Sequence, residues 1–352
     1  MAQEKEKEKD KQAYQRKDAH LNLAKQELAK AQIAHPLDTV HLRHYALPDC
    51  KLDDISLATS FCGHRLASPL FIGAMTGGTD RADGINAALA EVASEKNIAL
   101  ALGSQRASLS QNRTQKALRK QHPNMALIGN LGITQLAAEG GFDLALHAID
   151  DIQATAMAIH LNPLQEAAQI EGDHDWRGTY DALANFIAKS PVPVIIKEVG
   201  AGIDSALATQ LDAMGAAFID IAGLGGTNWT RIEVARYESK ASDRREALFA
   251  PFLDWGIDTK TALIAARDAL PHAKLIASGG LRHGLDVAKS LALGASMCCA
   301  AGPFLAAVED DNAALSQNKL ADEIDKWHAQ MRLACFLTNS AKIADLRHNK
   351  VR

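Results

Sequence analysis

No excess of positive charge marks this chain. Lys and Arg total 38 against 42 Asp and Glu over 352 residues, a formal net charge of -4. That balance excludes a general nucleic-acid or polyanion binder and leaves only a local anion pocket open. Cysteine is scarce and odd in number, five without framework spacing, so no disulfide scaffold is expected and a reducing compartment fits. The adjacent Cys298 and Cys299 lie in an apolar run and read as small buried hydrophobes. Long hydrophobic runs are missing too. The opening MAQEKEKEKDKQ is almost all charged or amide, and no apolar stretch follows it as a signal peptide requires. The one long uncharged run, 290–308, is broken by Gly294, Gly302 and Pro303. It is too weakly apolar for a bilayer and reads as the end of a helix plus a buried strand. The expectation is a soluble cytoplasmic protein with no membrane and no nucleic-acid partner.

What is present is a repeating pattern. Residues 1–15 form a charged tail that cannot bury apolar area and is expected to be disordered. An N-terminal extension, 16–68, follows, with helix formers over 21–33 and strand-like pieces around 55–59 and 64–67 separated by a Cys-Gly turn. From Pro69 to the end, short apolar runs alternate with amphipathic stretches. The runs are LFIGAM (70–75), IALALG (98–103), MALIGN (125–130), ATAMAIHLN (154–162), VPVIIKEVG (192–200), FIDIAG (218–223), KLIASGG (274–280) and ASMCCAAG (295–302). The stretches between them include 84–96, 180–189, 206–214 and 284–293. Continuous apolar runs imply strands buried on both faces, and their alternation with helices implies a parallel sheet. Eight units fit a (β/α)8 barrel with C-terminal helices. A doubly wound sheet, the competitor, would place its glycine-rich loop after the first strand, whereas here such loops follow the sixth and seventh runs. Two long connections, 163–178 and 227–256, stand where barrels carry lids and substrate contacts.

The strongest local signal is ASGGLRHGLDVAKSLALGAS, 277–296. Gly279 and Gly280 let backbone amides approach an anion, and Gly284 opens a helix whose N-terminus favours negative charge. The next run ends in Ala301 and Gly302, small enough to leave room for a phosphate. Lys197 lies inside VPVIIKEVG and points into the barrel, where an ammonium needs an anionic partner. An ion pair with Glu198 or Asp220 is one alternative, weakened for Glu198 because strand neighbours face opposite sides. HLNPLQE puts His160 and Asn162 on one strand face, Pro163 at the strand's stop, and Gln165 and Glu166 at the start of the long loop. Glu166 is a hard oxygen ligand of the kind Mg²⁺ prefers.

The GGxRxGxDxxKxxxLGA string resembles the FMN-dependent barrels as a group. Together with GAMTGG (73–78), GSQR (103–106), HLNPLQE (160–166), KEVG (197–200), GLGGTNW (223–229) and RKDAH (16–20), the chain resembles the type 2 isopentenyl-diphosphate isomerases. The resemblance covers nearly everything beyond the tail. It implies FMN held by Ala74, Met75, Thr76, Ser104, Asn130, Lys197, Thr227, Gly279, Gly280, Arg282, Ala301 and Gly302, with Lys197 beside the flavin N1/O2 edge. It implies a Mg²⁺ on Glu166, and a diphosphate gripped by Arg16, Lys17, His20 and Arg106, with Asn162 and Gln165 lining the substrate pocket. His160, Gln165 and Lys197 are then the catalytic candidates. Ala222 departs from the pattern, standing where some relatives carry a serine.

The implied activity is the reversible conversion of isopentenyl diphosphate to dimethylallyl diphosphate by reduced FMN as acid/base, with NADPH needed only for reduction. The implied assembly is a homo-oligomer, a tetramer or octamer. Two other readings stand beside it. An FMN-dependent 2-hydroxy-acid dehydrogenase or oxidase shares the GGxRxG string but needs a histidine after strand six, where this chain has Gly223-Leu224-Gly225-Gly226 and no histidine before His272. A non-catalytic flavin- or phosphate-binding barrel would not need so many inward polar groups.

Overall fold

The computed structural model describes residues 21–25, 35–74, 77–110, 113–236, 240–310, 313–349 and 351. Residues 21–25 are helical; the rest of the expected 21–33 helix and the 1–15 tail lie outside the described residues. A hairpin precedes the barrel: β1 (Thr59–Phe61) and β2 (His64–Leu66) pair antiparallel across Cys62 and Gly63, both at positive φ. That two-residue turn matches the right-handed twist of the strands it joins. The first strand begins later than the sequence suggests. Leu52–Asp54 is a 3-10 turn, and Ile55 and Leu57 are buried against the main core without strand pairing.

All eight apolar runs are strands of one closed parallel barrel. They are β3 (Leu70–Ile72), β4 (Ala99–Ala101), β5 (Leu127–Gly132), β6 (Ala156–Leu161), β7 (Val194–Glu198), β8 (Phe218–Asp220), β9 (Leu275–Ala277) and β10 (Met297–Ala300). Each pairs with the next in sequence, and β10 closes on β3. This is the (β/α)8 architecture, not the doubly wound competitor. The expected helices appear as Asp80–Glu95, Thr179–Lys189, Ser205–Ala213 and Gly284–Ala292. Capping sets where they start: the Thr79 hydroxyl accepts from Ala82 N at 3.1 Å and the Asp258 carboxylate from Thr261 N at 2.9 Å, opening Thr259–Ala269. The long helix Gln317–Leu337 lies over Gly284–Ala292 at a distance only glycine permits, since a Cβ on Gly284 would fall 2.1 Å from Trp327 O. Run 290–308 resolves into a helix end, β10, and a further helix, Gly302–Val308. Among the described residues, no helix is long and apolar enough to cross a membrane.

Alternation along the strands divides the interior into layers. In β6, Ala156 and Ala158 face the lumen with Ile195, Phe218, Ile276 and Met297, while Met157 and Ile159 join the outer core against the helices. Phe61 and Leu66 of the hairpin belong to the same inner cluster, so the hairpin stoppers the N-terminal mouth. Cys298 is buried outward and Cys299 inward, both as small hydrophobes. Continuing the same alternation upward puts His160, Lys197 and Asp220 on the inner face at the C-terminal end.

Candidate active site

Strand register places His160, Lys197 and Asp220 side by side, His160 opposite Lys197 and Lys197 opposite Asp220. Each is two residues beyond an apolar lumen residue on its own strand, so the polar layer is one step above the core. Asn130 on β5 accepts from His160, Oδ1 to Nδ1 at 2.8 Å, while its Nδ2 donates to Leu102 O at 3.0 Å. The amide orientation is therefore fixed, and Oδ1 as an acceptor puts the proton on His160 Nδ1. Lys197 Nζ donates to Glu198 O at 2.6 Å, and the Glu198 carboxylate turns away to collect the amides of Val199 and Gly200 at 2.6 Å each. The Lys197–Glu198 contact is thus to a backbone carbonyl, as the opposite facing of strand neighbours requires. Asp220 Oδ1 accepts from Ser278 Oγ at 2.6 Å. Burial pushes the Asp220 and Glu198 carboxyls up, and the charge of Lys197 opposes that rise in both.

A second cluster sits after β6. Pro163 occupies the first turn of the short helix Pro163–Ala168, so Gln165 and Glu166 project from a helix and not from the expected loop. Proline at that position is compatible because its missing N–H has no partner in a first turn. Glu166 is buried; Oε1 accepts from Asn162 Nδ2 at 2.9 Å and Oε2 from Asp173 N at 2.8 Å. Asn162 Oδ1 is buried with no hydrogen-bond partner. Gln165 Nε2 donates to Glu233 Oε1 at 3.1 Å. Arg106 reaches this cluster through Asp173, Nη1 to Oδ2 at 3.3 Å. Leu164, Gln165, Gly200, Leu224, Trp229 and Trp255 line a cleft alongside.

The third part is glycine backbone. Gly279 and Gly280 have φ of 88° and 83°, a region side chains rarely adopt. A Cβ on Gly279 would lie 2.1 Å from Gly223 O, and one on Gly226 2.6 Å from Gly280 N. The loops after β8 and β9 therefore touch through backbone alone. Thr227 is half-buried in the first of them. The Arg282 guanidinium is already engaged, by Asp38 at 2.5 Å and Asp286 at 2.9 Å. Ser104 is half-buried at the end of β4, and Ala301 and Gly302 open the helix after β10. Ala74 follows β3; Met75 and Thr76 lie outside the described residues, as do Arg16, Lys17 and His20.

The comparisons decide the family. The chain is 46% identical over 312 residues to the isopentenyl-diphosphate delta-isomerase of Stutzerimonas stutzeri, covering 88% of each chain. It is 40% identical to that of Pseudescherichia vulneris over 98% of each. The chain belongs to the isopentenyl-diphosphate delta-isomerase family. A model of the FMN-dependent dehydrogenases also matches residues 145–352. The fold is that of mandelate oxidase: a structure with benzoylformic acid shares 18% identity and a TM-score of 0.64, covering 95% of this chain and 90% of that one. A mandelate oxidase carrying an FMN monooxide adduct gives 0.63 at 16% identity, covering 95% of this chain and 92% of that one. At that identity the likeness speaks for the barrel only.

Within this family member, the structure adds site residues that sequence reasoning missed. Ser278 joins Asp220, which the sequence offered only as a possible partner of Lys197, in the inner rung; Asp173 ties Arg106 to Glu166, and Glu233 receives Gln165. Alternation along FIDIAG already marked Asp220 as inward. Asp173, Glu233 and His35, which lies against Gly225 and Gly280, carry no local signal of their contacts.

Proposed function

We propose that the protein interconverts isopentenyl and dimethylallyl diphosphate, with FMN along the rung and the glycine loops and Mg²⁺ on the diphosphate. The observation that carries the reading is the inward rung Asn130–His160–Lys197–Asp220 beside a glycine cradle, in a chain of this family. The residues suit FMN. The cradle admits no Cβ, His35 presents a buried, unpartnered Nε2 beside it, and Lys197 brings a cation to the lumen. Ser104, Asn130 and Thr227 offer short donors and acceptors, and Ala74, Met75 and Thr76 follow β3. Gly279, Gly280, Ala301 and Gly302 are the phosphate end; Arg282 lies beside it with its backbone N–H given to Asp286 and its guanidinium held by Asp286 and Asp38.

The Glu166 cluster suits Mg²⁺: a hard carboxylate with the unpartnered Asn162 Oδ1 alongside, and room for the metal to take its remaining ligands from phosphate oxygens. Arg16, Lys17, His20 and Arg106 neutralise the diphosphate.

Reduced flavin supplies an acid–base group able to exchange protons with an alkene, which ordinary side chains do poorly. The chain's own residues do the rest. Lys197 supplies the positive charge that favours an anionic reduced cofactor. His160, oriented by Asn130, and Gln165, oriented by Glu233, face the hydrocarbon end and hold or relay a proton there. NADPH would be needed only to bring the flavin to its reduced form, since substrate and product are isomers and their interconversion has no net redox change.

The test is stoichiometry. With FMN, Mg²⁺ and a catalytic amount of NADPH under anaerobic conditions, isopentenyl diphosphate should turn over many times per NADPH oxidised. One NADPH consumed per product would replace the proposal with a reductase.

A further inference from the structure

We propose that His35, carried by the N-terminal extension, donates its Nε2–H to the phosphate of the bound flavin mononucleotide. The inference rests on the flavin reading above and adds to it a ligand from outside the barrel strands. His35 is 6% exposed, and its Nε2 has no hydrogen-bond partner. Its Nδ1 accepts from Leu37 N at 3.2 Å, so the proton of the neutral ring is on Nε2 and that nitrogen is a donor. A buried donor with nothing to donate to costs the protein stability, and native structures keep few of them.

The donor is aimed at the glycine loops. A Cβ on Gly280 would fall 2.3 Å from His35 Nε2 and one on Gly225 2.4 Å from it. Glycine at both positions is what lets the ring reach the place where the loops after β8 and β9 meet. The ring is also held there. His35 precedes the 3-10 turn Pro36–Thr39. Lys289 Nζ, buried, donates to Leu37 O at 2.8 Å; Arg282 pairs with Asp38; Lys260 Nζ donates to Thr39 Oγ1 at 2.7 Å. Three cations of the barrel thus fasten the strap directly after this one imidazole, and burial, more than the nearby Arg282, keeps that imidazole neutral by lowering its pKa below the ordinary value. With Arg282 committed to carboxylates, a neutral N–H and the loop amides are what the cradle offers a phosphate.

The experiment titrates the apoprotein with FMN and with riboflavin, which lacks the phosphate, by flavin fluorescence. In the wild type FMN should bind much more tightly than riboflavin. His35→Ala should weaken FMN roughly 10- to 100-fold, the range of a hydrogen bond to a charged group, and leave riboflavin within about twofold. His35→Gln, whose amide nitrogen reaches the position of Nε2, should restore most of the FMN affinity. A direct reading needs no variant: in ¹⁵N-histidine protein, one Nε2–H proton should shift downfield with FMN and not with riboflavin. If His35→Ala weakens both flavins equally, or neither, His35 is a packing residue and the proposal fails. A wild type that binds riboflavin and FMN alike also overturns it while leaving flavin binding intact. A wild type that binds neither overturns the flavin reading itself.

Discussion

At the N-terminal mouth of the barrel, Phe61 of the hairpin packs on Phe218 and Phe71, with ring centroids 5.1 and 6.3 Å away. At the C-terminal mouth the same strands end in Asn130, His160, Lys197 and Asp220. One mouth is sealed by aromatic carbon, while the other keeps polar groups that are not all satisfied: Asn162 Oδ1 and His35 Nε2 are buried without partners, and burial raises the Asp220 carboxyl. The two layers are one side-chain repeat apart on each strand. The difference teaches that stability and chemistry are separated along the strand axis, so that costs accepted at the open end are offset at the closed one.

The comparison breaks first at Phe61. Phe61→Ala removes a fully buried ring from the stopper and should cost about 3–5 kcal/mol of unfolding free energy, the usual range for such truncations. Urea unfolding measures that loss. FMN affinity of the folded variant should stay within about twofold, because the loop glycines lie outside the hairpin cluster and, of the flavin-site candidates, Ala74 packs only at its edge. A variant that keeps its stability, or that folds and loses FMN, would show the mouths to be coupled.

A pH experiment sharpens the same contrast. His328 Nε2 lies 2.9 Å from Ser68 Oγ, just before β3 at the closed end. Burial lowers its pKa to about 4, aided by Arg332 and Lys96 and opposed by Asp325. The ring is therefore neutral when folded and takes up a proton more readily when unfolded. Its contribution is intact above the ordinary value of 6.5 and is lost as pH falls from there towards 4. The loss should amount to about 3 kcal/mol. Unfolding free energies at pH 7 and pH 4 for wild type and His328→Gln measure it, and equal pH dependence in the two would sink the assignment.

At the open end, Glu166→Gln keeps the shape and removes the charge a hard cation needs. Activity should fall roughly 30-fold, about 2 kcal/mol, and the Mg²⁺ dependence should flatten. FMN binding should be nearly normal. Lys197→Met should do the reverse, retuning the flavin while leaving the Mg²⁺ response of the remaining activity in place. Titrations of FMN by fluorescence and Mg²⁺ by activity on both variants separate the ends of the pocket. Loss of FMN with a preserved Mg²⁺ response in Glu166→Gln would exchange the two assignments.

The strands and the inner rung were legible because their signals are local. Eight apolar runs mark buried parallel strands, and alternation within VPVIIKEVG or FIDIAG already says that Lys197 and Asp220 share a face with Ile195 and Phe218. Two kinds of feature escaped. Pro163 reads equally as the end of a strand or the first turn of a helix, so the helix carrying Gln165 and Glu166 looked like loop. His35 and Asp173 lie against residues distant in sequence, Gly225 and Gly280 for one and Arg106, Thr134 and Gln135 for the other, in segments without periodicity, and only the closed barrel shows what they face. A type of residue in a pattern can be read from the chain; a hydrogen bond between loops cannot.

The smallest expected effect concerns Asp173. Its carboxylate collects Gln135 Nε2 at 2.8 Å, Thr134 Oγ1 at 3.1 Å and Arg106 Nη1 at 3.3 Å, while its backbone N–H serves Glu166. The Arg106 and Asp173 side chains are 53% and 42% exposed, so the pair is worth less than about 1 kcal/mol to the fold. Asp173→Asn leaves the backbone N–H to Glu166 in place and frees the guanidinium from its competing carboxylate. Unfolding should shift by less than about 1 kcal/mol. If Arg106 serves the diphosphate, KM for isopentenyl diphosphate should fall roughly two- to threefold with kcat little changed, the signature of altered uniform binding. Arg106→Ala should raise KM instead, and in that background Asp173→Asn should lose its effect. A KM that rises in Asp173→Asn would make Asp173 itself part of the grip on diphosphate and metal, and Arg106 merely its neighbour.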